Sequence, residues 1–408
     1  RRIAYISFEH PLGVSGGGIG TYLGQIARLM AERGNVVEVF TCHPQNNDDI
    51  NYNGYILHRV QASSIVEFRY KVSAVFSQHH LLRPFDILEA AEYGAEALFI
   101  KKQFPDLSLA VKLHTPSYLT QLLNGDKAGL VDKVRFYLGG IIKGKIVKPY
   151  WVYRKEEDAE YQQYYLADAI CSPSKNLSVL IQEQWPAKKE IAVIPNPFIP
   201  SGDFLSLPLS DYHGGPLVVS FFGRLERRKG ILELMKAIPL VLQQNPKVVF
   251  RFIGKAHPSP TVGMDMEVYL KRQLLKWSGN LDFLGYQPYN KMSALLAQTH
   301  VCVFPSVWEN FPNVCLEAMA AGRAVIASHN GGMAEMICEG KSGLLVPPKD
   351  PQAIADAILK IAARPSLLKE LGMNARERVL NAYNETVIGD LVHSFYLKTL
   401  AQKKAVLA

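Results

Sequence analysis

Trp308-Glu309-Asn310-Phe311-Pro312-Asn313-Val314-Cys315-Leu316-Glu317 is the stretch on which the fold turns. It follows a short apolar run, Val301-Cys302-Val303-Phe304, closed by Pro305-Ser306. That run has the length and composition of a buried strand. Asn313 to Ala321 then reads as a helix ended by Gly322. The stretch predicts a strand–loop–helix junction, with Glu309 in the loop at the strand's C-terminal end and Glu317 about one turn into the helix. Backbone N–H groups around Asn313 to Leu316 lack intrahelical partners and carry partial positive charge. Such a junction can hold an anion like a diphosphate, with one carboxylate on either side. Carboxylates accept hydrogen bonds from sugar hydroxyls, so the arrangement suits a nucleotide bound through its phosphates and sugars. Taken alone, the two glutamates read at least as readily as a loop carboxylate and a solvated helix residue.

Upstream and downstream of this junction, short apolar runs alternate with helical stretches. In the first half the runs are Arg2 to Phe8, Val36 to Thr41, Ile87-Leu88, Leu109 to Leu113, Ala169 to Ser172 and Ile191 to Ile194, with a helix from Gly20 to Arg33. The second half repeats the alternation. Its strands are Leu217 to Phe222, Val248 to Ile253, Leu281 to Leu284 and Ala324 to Ser328. Its helices run through Ile231 to Gln244, Met264 to Trp277, Lys291 to Thr299, Pro351 to Ala363 and Ser366 to Ala382. Such alternation means α/β architecture with doubly wound parallel sheets. Between the halves, Pro195, Pro197, Pro200 and Pro208 with Gly202, Gly214 and Gly215 mark a linker. Two Rossmann-like domains are expected, residues 1–200 and 201–386, with a last helix at about 387–408 crossing back onto the first.

Composition bounds the class. At 408 residues the chain can form two or three cored domains, and 48% hydrophobic with 20% charged residues is ordinary for a globular protein. No apolar run approaches the roughly 18–20 residues that span a bilayer. Arg1-Arg2 leads directly into Ile3-Ala4-Tyr5-Ile6, so no signal peptide is expected, and the missing initiator Met suggests a trimmed chain. Cys42, Cys171, Cys302, Cys315 and Cys338 are odd in number and form no C-x-x-C, which argues against disulfides and structural zinc. The expectation is a reduced, cytoplasmic protein.

The net charge of +8 is concentrated. Between Lys127 and Lys155 stand eight basic residues against one acid, Asp132. The same segment carries an apolar stripe (Val134, Leu138, Ile142, Ile146) followed by Tyr150, Trp151 and Tyr153. This pattern suits peripheral contact with an anionic membrane surface, and equally a solvated charged face over a packed helix. No nucleic-acid motif accompanies the charge, so a nucleic-acid partner is not expected.

Three more loops could carry chemistry. Ser15-Gly16-Gly17-Gly18-Ile19-Gly20 lies between the first strand and the first helix, where glycines let a phosphate or sugar approach the backbone. Its spacing is neither the dinucleotide fingerprint nor a P-loop, and a simple flexible loop would look the same. Gly223-Arg224-Leu225-Glu226-Arg227-Arg228-Lys229-Gly230 follows a strand. Its cations can stabilise charge on an anionic leaving group, or form solvated surface. His114 sits just past a buried strand in Lys112-Leu113-His114-Thr115-Pro116. There is no D-x-D motif, no H-E-x-x-H and no G-x-S-x-G, so metal-held diphosphate chemistry is not expected.

Pro305-Ser306, Glu309, Phe311-Pro312, Leu316-Glu317-Ala318, Gly322, Gly331-Gly332, Glu335 and Gly343 together resemble the C-terminal signature of retaining GT-B glycosyltransferases, more narrowly the sugar-nucleotide-dependent family 4. The likeness is dense from Phe221 to Pro348 and thinner in the first half. It implies two domains facing across a cleft, an acceptor-binding first domain and a donor-binding second one. It also implies Glu309 at the donor sugar, Glu317 on the ribose hydroxyls, Arg224 and Lys229 on the phosphates, and His114 beside the donor sugar, positioning it and stabilising charge. A glycine-rich loop closing on the diphosphate assigns Gly17 and Gly18, then Gly16. Tyr286 would border the base, and Phe311, Pro312, Asn313 and Val314 would line the donor through the loop and helix start. Glu335 would cap or orient the donor loop, or be structural. The activity implied is a retaining, metal-independent hexosyltransferase without cofactor. It would move glucose from UDP-glucose to a saccharide or lipid-linked saccharide in polysaccharide or glycolipid synthesis. A GDP-mannose-dependent mannosyltransferase, a sugar-nucleotide epimerase or phosphorylase, and a non-enzymatic sugar-nucleotide-binding scaffold are the alternatives.

Overall fold

The computed structural model describes residues 1–14, 17–124, 153–186, 189–212 and 214–407. Gly16 and most of the basic 127–155 segment lie outside the described residues. The chain divides into two compact units. One comprises Arg1–Cys171, Leu180–Ala192 and Tyr396–Ala408, the other Ser172–Val179 and Val193–Phe395. The expected boundary at 200/201 therefore falls inside the second unit. Among the described residues no helix is long and apolar enough to cross a membrane.

The first unit is built on strands β1 (Arg2–Ser7), β2 (Val36–His43), β3 (Asp48–Tyr52), β4 (Tyr55–Gln61), β5 (Ile87–Ala91), β6 (Ser108–Lys112), β7 (Ala169–Ser172) and β8 (Ile191–Val193), in the order β3-β4-β2-β1-β5-β6-β7-β8. β1, β5 and β6 are buried along their whole length, as strands covered by helices on both faces must be. The sheet is not wholly parallel: β3 pairs antiparallel with β4 at the edge. Asn53 and Gly54 form the two-residue turn between them, with φ of 46° and 84°. Both central residues at positive φ match the right-handed twist of a hairpin, which is why Asn-Gly occupies it. Tyr153, an aromatic of the basic segment, packs within this unit: its ring stacks on Tyr118 and its hydroxyl donates to Asp158.

Strands β9 (Leu217–Phe222), β10 (Val248–Ile253), β11 (Leu281–Gly285), β12 (Val301–Phe304), β13 (Ala324–Ser328) and β14 (Leu344–Val346) make the second sheet, ordered β11-β10-β9-β12-β13-β14. Every pair in it is parallel. Alternation divides its side chains between two cores. Val219, Phe221, Val301 and Val303 join the core under helices Ile231–Gln244 and Pro351–Ala363. Phe222, Cys302 and Phe304 join the one under helices Asn313–Ala320 and Ser366–Ala382. The proline-rich stretch expected as a linker is packed against this second core. Phe198 and Phe204 are buried in it, and Arg376 and Arg323 donate to the carbonyls of Leu207 and Pro208.

Candidate active site

The strand order of the second sheet reverses between β9 and β12, which are neighbours although about eighty residues separate them in sequence. Loops leaving the carboxyl ends of such a pair diverge and open a crevice. The two loops here are the ones that carry the charged residues. They are tied together at Gly230, where φ is 73° and a Cβ would lie 1.9 Å from the Pro305 carbonyl oxygen. Val307 N–H donates to the Arg228 carbonyl at 2.9 Å.

Glu309 lies at the centre. Its backbone is held by Gly331-Gly332. Gly332 N–H donates to the Glu309 carbonyl at 2.8 Å, and a Cβ on Gly331 or Gly332 would meet the carbonyl oxygens of Glu309 or Asn310 at 2.0 and 1.7 Å. The residue is nearly buried, 8% exposed. Oε1 accepts from Arg228 at 2.6 Å and from Lys229 at 2.7 Å. Burial pushes the Glu309 carboxyl up, but Lys229 and Arg228 together outweigh it and hold its pKa below the ordinary value. The resemblance pairs Arg224 with Lys229. Here Arg228 stands beside Lys229 instead, while the Arg224 side chain is 54% exposed and reaches Glu226 at 3.1 Å. Arg228 also meets Glu226, at 3.2 Å. Arg224, Arg228 and Lys229 are thus three cations set against two carboxylates.

Helix Asn313–Ala320 begins after Pro312 with no side-chain cap, leaving first-turn N–H groups for a ligand. Phe311 turns its ring edge to Tyr383 at 5.5 Å, and Val314 packs on the core. Glu317 is also nearly buried. Burial lifts its pKa to about 7, and a hydrogen bond from Tyr289 opposes that rise. Tyr289 is the tyrosine that meets Glu317, while Tyr286, expected at the base, is 74% exposed after β11. The Glu335 carboxylate accepts from Lys175 and Asn176 N–H, each at 2.8 Å, capping helix Lys175–Gln184.

In the first unit, Gly17 caps helix Gly18–Glu32 in extended conformation. A Cβ on Gly18 would meet nothing within 4 Å, and one on Gly17 only Glu9 Oε2 at 3.6 Å. The local fold does not require glycine at either position. His114 is positioned by Glu92, whose carboxylate accepts the His114 and Thr115 N–H groups. Its ring packs edge-on to Tyr22 at 5.3 Å. Burial, reinforced by Lys112, lowers the His114 pKa to about 3. The imidazole is neutral at pH 7, so it can orient a hydroxyl but brings no cation.

Residues 16–201 match the family described as Glycosyltransferase Family 4, and residues 211–378 match Glycosyl transferases group 1. The chain belongs to the family 4 glycosyltransferases. An uncharacterized glycosyltransferase of Methanocaldococcus jannaschii is 25% identical to this enzyme over 401 residues, 94% of each chain. The D-inositol 3-phosphate glycosyltransferase of Corynebacterium urealyticum is 35% identical over 156 residues, 38% of this chain and 35% of that one. Sucrose-phosphate synthase of Thermosynechococcus elongatus superposes with a TM-score of 0.70 at 23% identity, covering 98% of the enzyme and 100% of the synthase. HepE of Anabaena, solved with UDP-glucose, superposes at 0.63 and 17% identity over 98% and 99% of the two chains. The glycosyltransferase thus has the α/β GT-B fold.

Proposed function

We propose that the enzyme transfers a hexose, with retention and without a metal, from UDP-glucose to a saccharide or lipid-linked saccharide. The observation that carries this reading is the Arg228–Lys229–Glu309 cluster at the β9/β12 switch point. A donor diphosphate would compete with Glu309 for both cations, since phosphate accepts charged hydrogen bonds at least as well as a carboxylate. The exchange would free the Glu309 carboxylate for the donor sugar and place fixed positive charge where the leaving group's charge develops. Arg228, Lys229 and the first turn of helix Asn313–Ala320 would then do what a metal does elsewhere. In the step proposed, the bond from the anomeric carbon to the diphosphate oxygen breaks. The acceptor oxygen bonds to that carbon on the same face, and its proton passes to the departing diphosphate. Glu317, with Tyr289 behind it, would accept from the ribose hydroxyls. UDP-glucose, the ligand of HepE, is the donor proposed.

Nucleotide release from a panel of UDP-, GDP- and ADP-sugars tests this, with wild type set against Glu317→Ala. Slow release from UDP-glucose, lost in the variant, is the expected result. Release from GDP-mannose alone would replace the donor, and neither binding nor release of any sugar nucleotide would overturn the reading.

A further inference from the structure

Toward the amino ends of the first sheet's strands, away from the Gly17 and His114 loops that follow carboxyl ends, three potential metal ligands converge from three elements. They are Glu38 on β2, His58 on β4 and His79 near the end of helix Ile65–Leu82. Among the described residues, Glu38, His58 and His79 offer one ligand atom each, all within 4.8 Å of one another. Glu38 Oε2 lies 3.0 Å from His58 Nε2 and 3.8 Å from His79 Nδ1. Donor atoms around a tetrahedral zinc, at bonds of about 2.0–2.1 Å, sit about 3.3 Å apart, so the observed spacings bracket that value.

The surroundings are built for the same purpose. Arg2 takes the other Glu38 oxygen, Oε1, through Nε at 2.9 Å and Nη2 at 2.7 Å, leaving Oε2 to face the histidines. Behind His58, Asp49 Oδ1 lies 2.7 Å from Nδ1. A proton on Nδ1 donated to Asp49 puts the lone pair of Nε2 toward Oε2. Two acceptors 3.0 Å apart require a cation between them, either a proton or a metal. A carboxylate behind a ligating histidine and a hydrogen bond on a ligating carboxylate are the outer-shell features of zinc sites. Formal charge does not oppose the ion. With neutral imidazoles, Glu38 and Asp49 bring two negative charges against one positive on Arg2. Two imidazoles with one carboxylate exclude the oxygen-preferring calcium and magnesium. The His79 side chain is partly exposed and gives the ion a way in.

We propose that Glu38 Oε2, His58 Nε2 and His79 Nδ1 form a binding site for one zinc-class divalent ion, which pins β2, β4 and helix Ile65–Leu82 together. The test is titration of zinc chloride into the chelator-treated full chain by calorimetry, repeated with His79→Gln and Asp49→Asn. Both substituted residues are partly or fully exposed, so the variants are expected to fold. One equivalent should bind, weakened at least about 10-fold by His79→Gln and about 10–100-fold by Asp49→Asn, the range for outer-shell partners. Cobalt(II) in place of zinc should give the intense visible absorption of a four-coordinate site in wild type and not in His79→Gln. Absence of binding, or a zinc isotherm unchanged in His79→Gln, would overturn the site and leave the cluster as the proton-bridged ion network of Arg2, Glu38 and His58.

Discussion

Charge is what individual residues contribute to the site, and two substitutions separate their roles. Glu309 is an acceptor, and losing one hydrogen bond to a charged group costs about 1.5–3 kcal/mol, so Glu309→Gln should lower kcat for nucleotide release about 10–10²-fold. It should also leave Arg228 and Lys229 unneutralised, and the affinity for inorganic diphosphate should rise. Arg228→Ala should do the opposite to affinity, weakening diphosphate binding roughly tenfold, about 1.4 kcal/mol for one charged hydrogen bond. Calorimetry with diphosphate checks both. At Glu317 the expected effect is on pH. Its pKa is lifted to about 7, chiefly by burial, and only the carboxylate accepts from two ribose hydroxyls. Donor affinity should therefore fall as pH drops through about 7. The Tyr289 hydrogen bond lowers that pKa, so in Tyr289→Phe the midpoint should move to higher pH. The profile of UDP-glucose binding by calorimetry shows the shift, and an unmoved midpoint would remove Tyr289 from the site.

Within the elements, glycine separates fold from function. Gly230 has φ 73° and no room for a Cβ beside Pro305. Gly230→Ala should cost several kcal/mol and lower the unfolding temperature, because strain and overlap add. Gly18 starts a helix with open space around it, so Gly18→Ala should leave the unfolding temperature unchanged or slightly raised. If the loop meets the donor, KM for the sugar nucleotide rises all the same. The same distinction governs what the sequence discloses. Helices Ile231–Gln244, Pro351–Ala363 and Ser366–Ala382 are legible to the residue, because Gly230, Pro351 and Pro365 punctuate them. The hairpin at Asn53-Gly54 and the helix after Ser64 have equally local signals, an Asn-Gly turn and a Ser-x-x-Glu cap in which Ser64 accepts from Glu67 N–H. Both signals are present in a stretch where the sequence reading assigns no elements. The burial of Phe198 and Phe204 has no local signal, and the stretch reads as a linker. Likewise Glu309 and Glu317 stand out by motif. That Arg228 reaches Glu309, and that Tyr289 reaches Glu317, depends on loop paths set by Gly230 and Pro288.

On the scale of the whole molecule, the chain does not finish where its second unit does. Helix Glu385–Leu407 belongs to the second unit through Phe395 and to the first from Tyr396. The first unit is completed by Tyr396–Ala408. Two anchors fix that return, and they differ in kind. Tyr396 O–H donates to Glu89 Oε2 at 2.7 Å, deep beside Tyr5 and Tyr22. Lys403 meets Asp168 at 3.0 Å, but Asp168 already accepts from Lys101 and from Leu109 N–H. Losing Lys403 leaves Asp168 paired, so Lys403→Ala should cost less than about 1 kcal/mol. Tyr396→Phe leaves a buried carboxylate short of a donor and should cost about 1–3 kcal/mol. Its pH dependence identifies the cause. Burial raises the Glu89 pKa and the Tyr396 hydrogen bond lowers it, so the variant raises it further. A carboxyl whose folded pKa lies above its unfolded value binds more protons when folded, and stability falls as pH rises through that interval. The Tyr396→Phe deficit should consequently be larger near pH 8 than near pH 5, read as proteolysis of the C-terminal segment or as the unfolding midpoint. A deficit independent of pH would mean that the helix is held by the packing of its apolar face and not by the buried carboxylate.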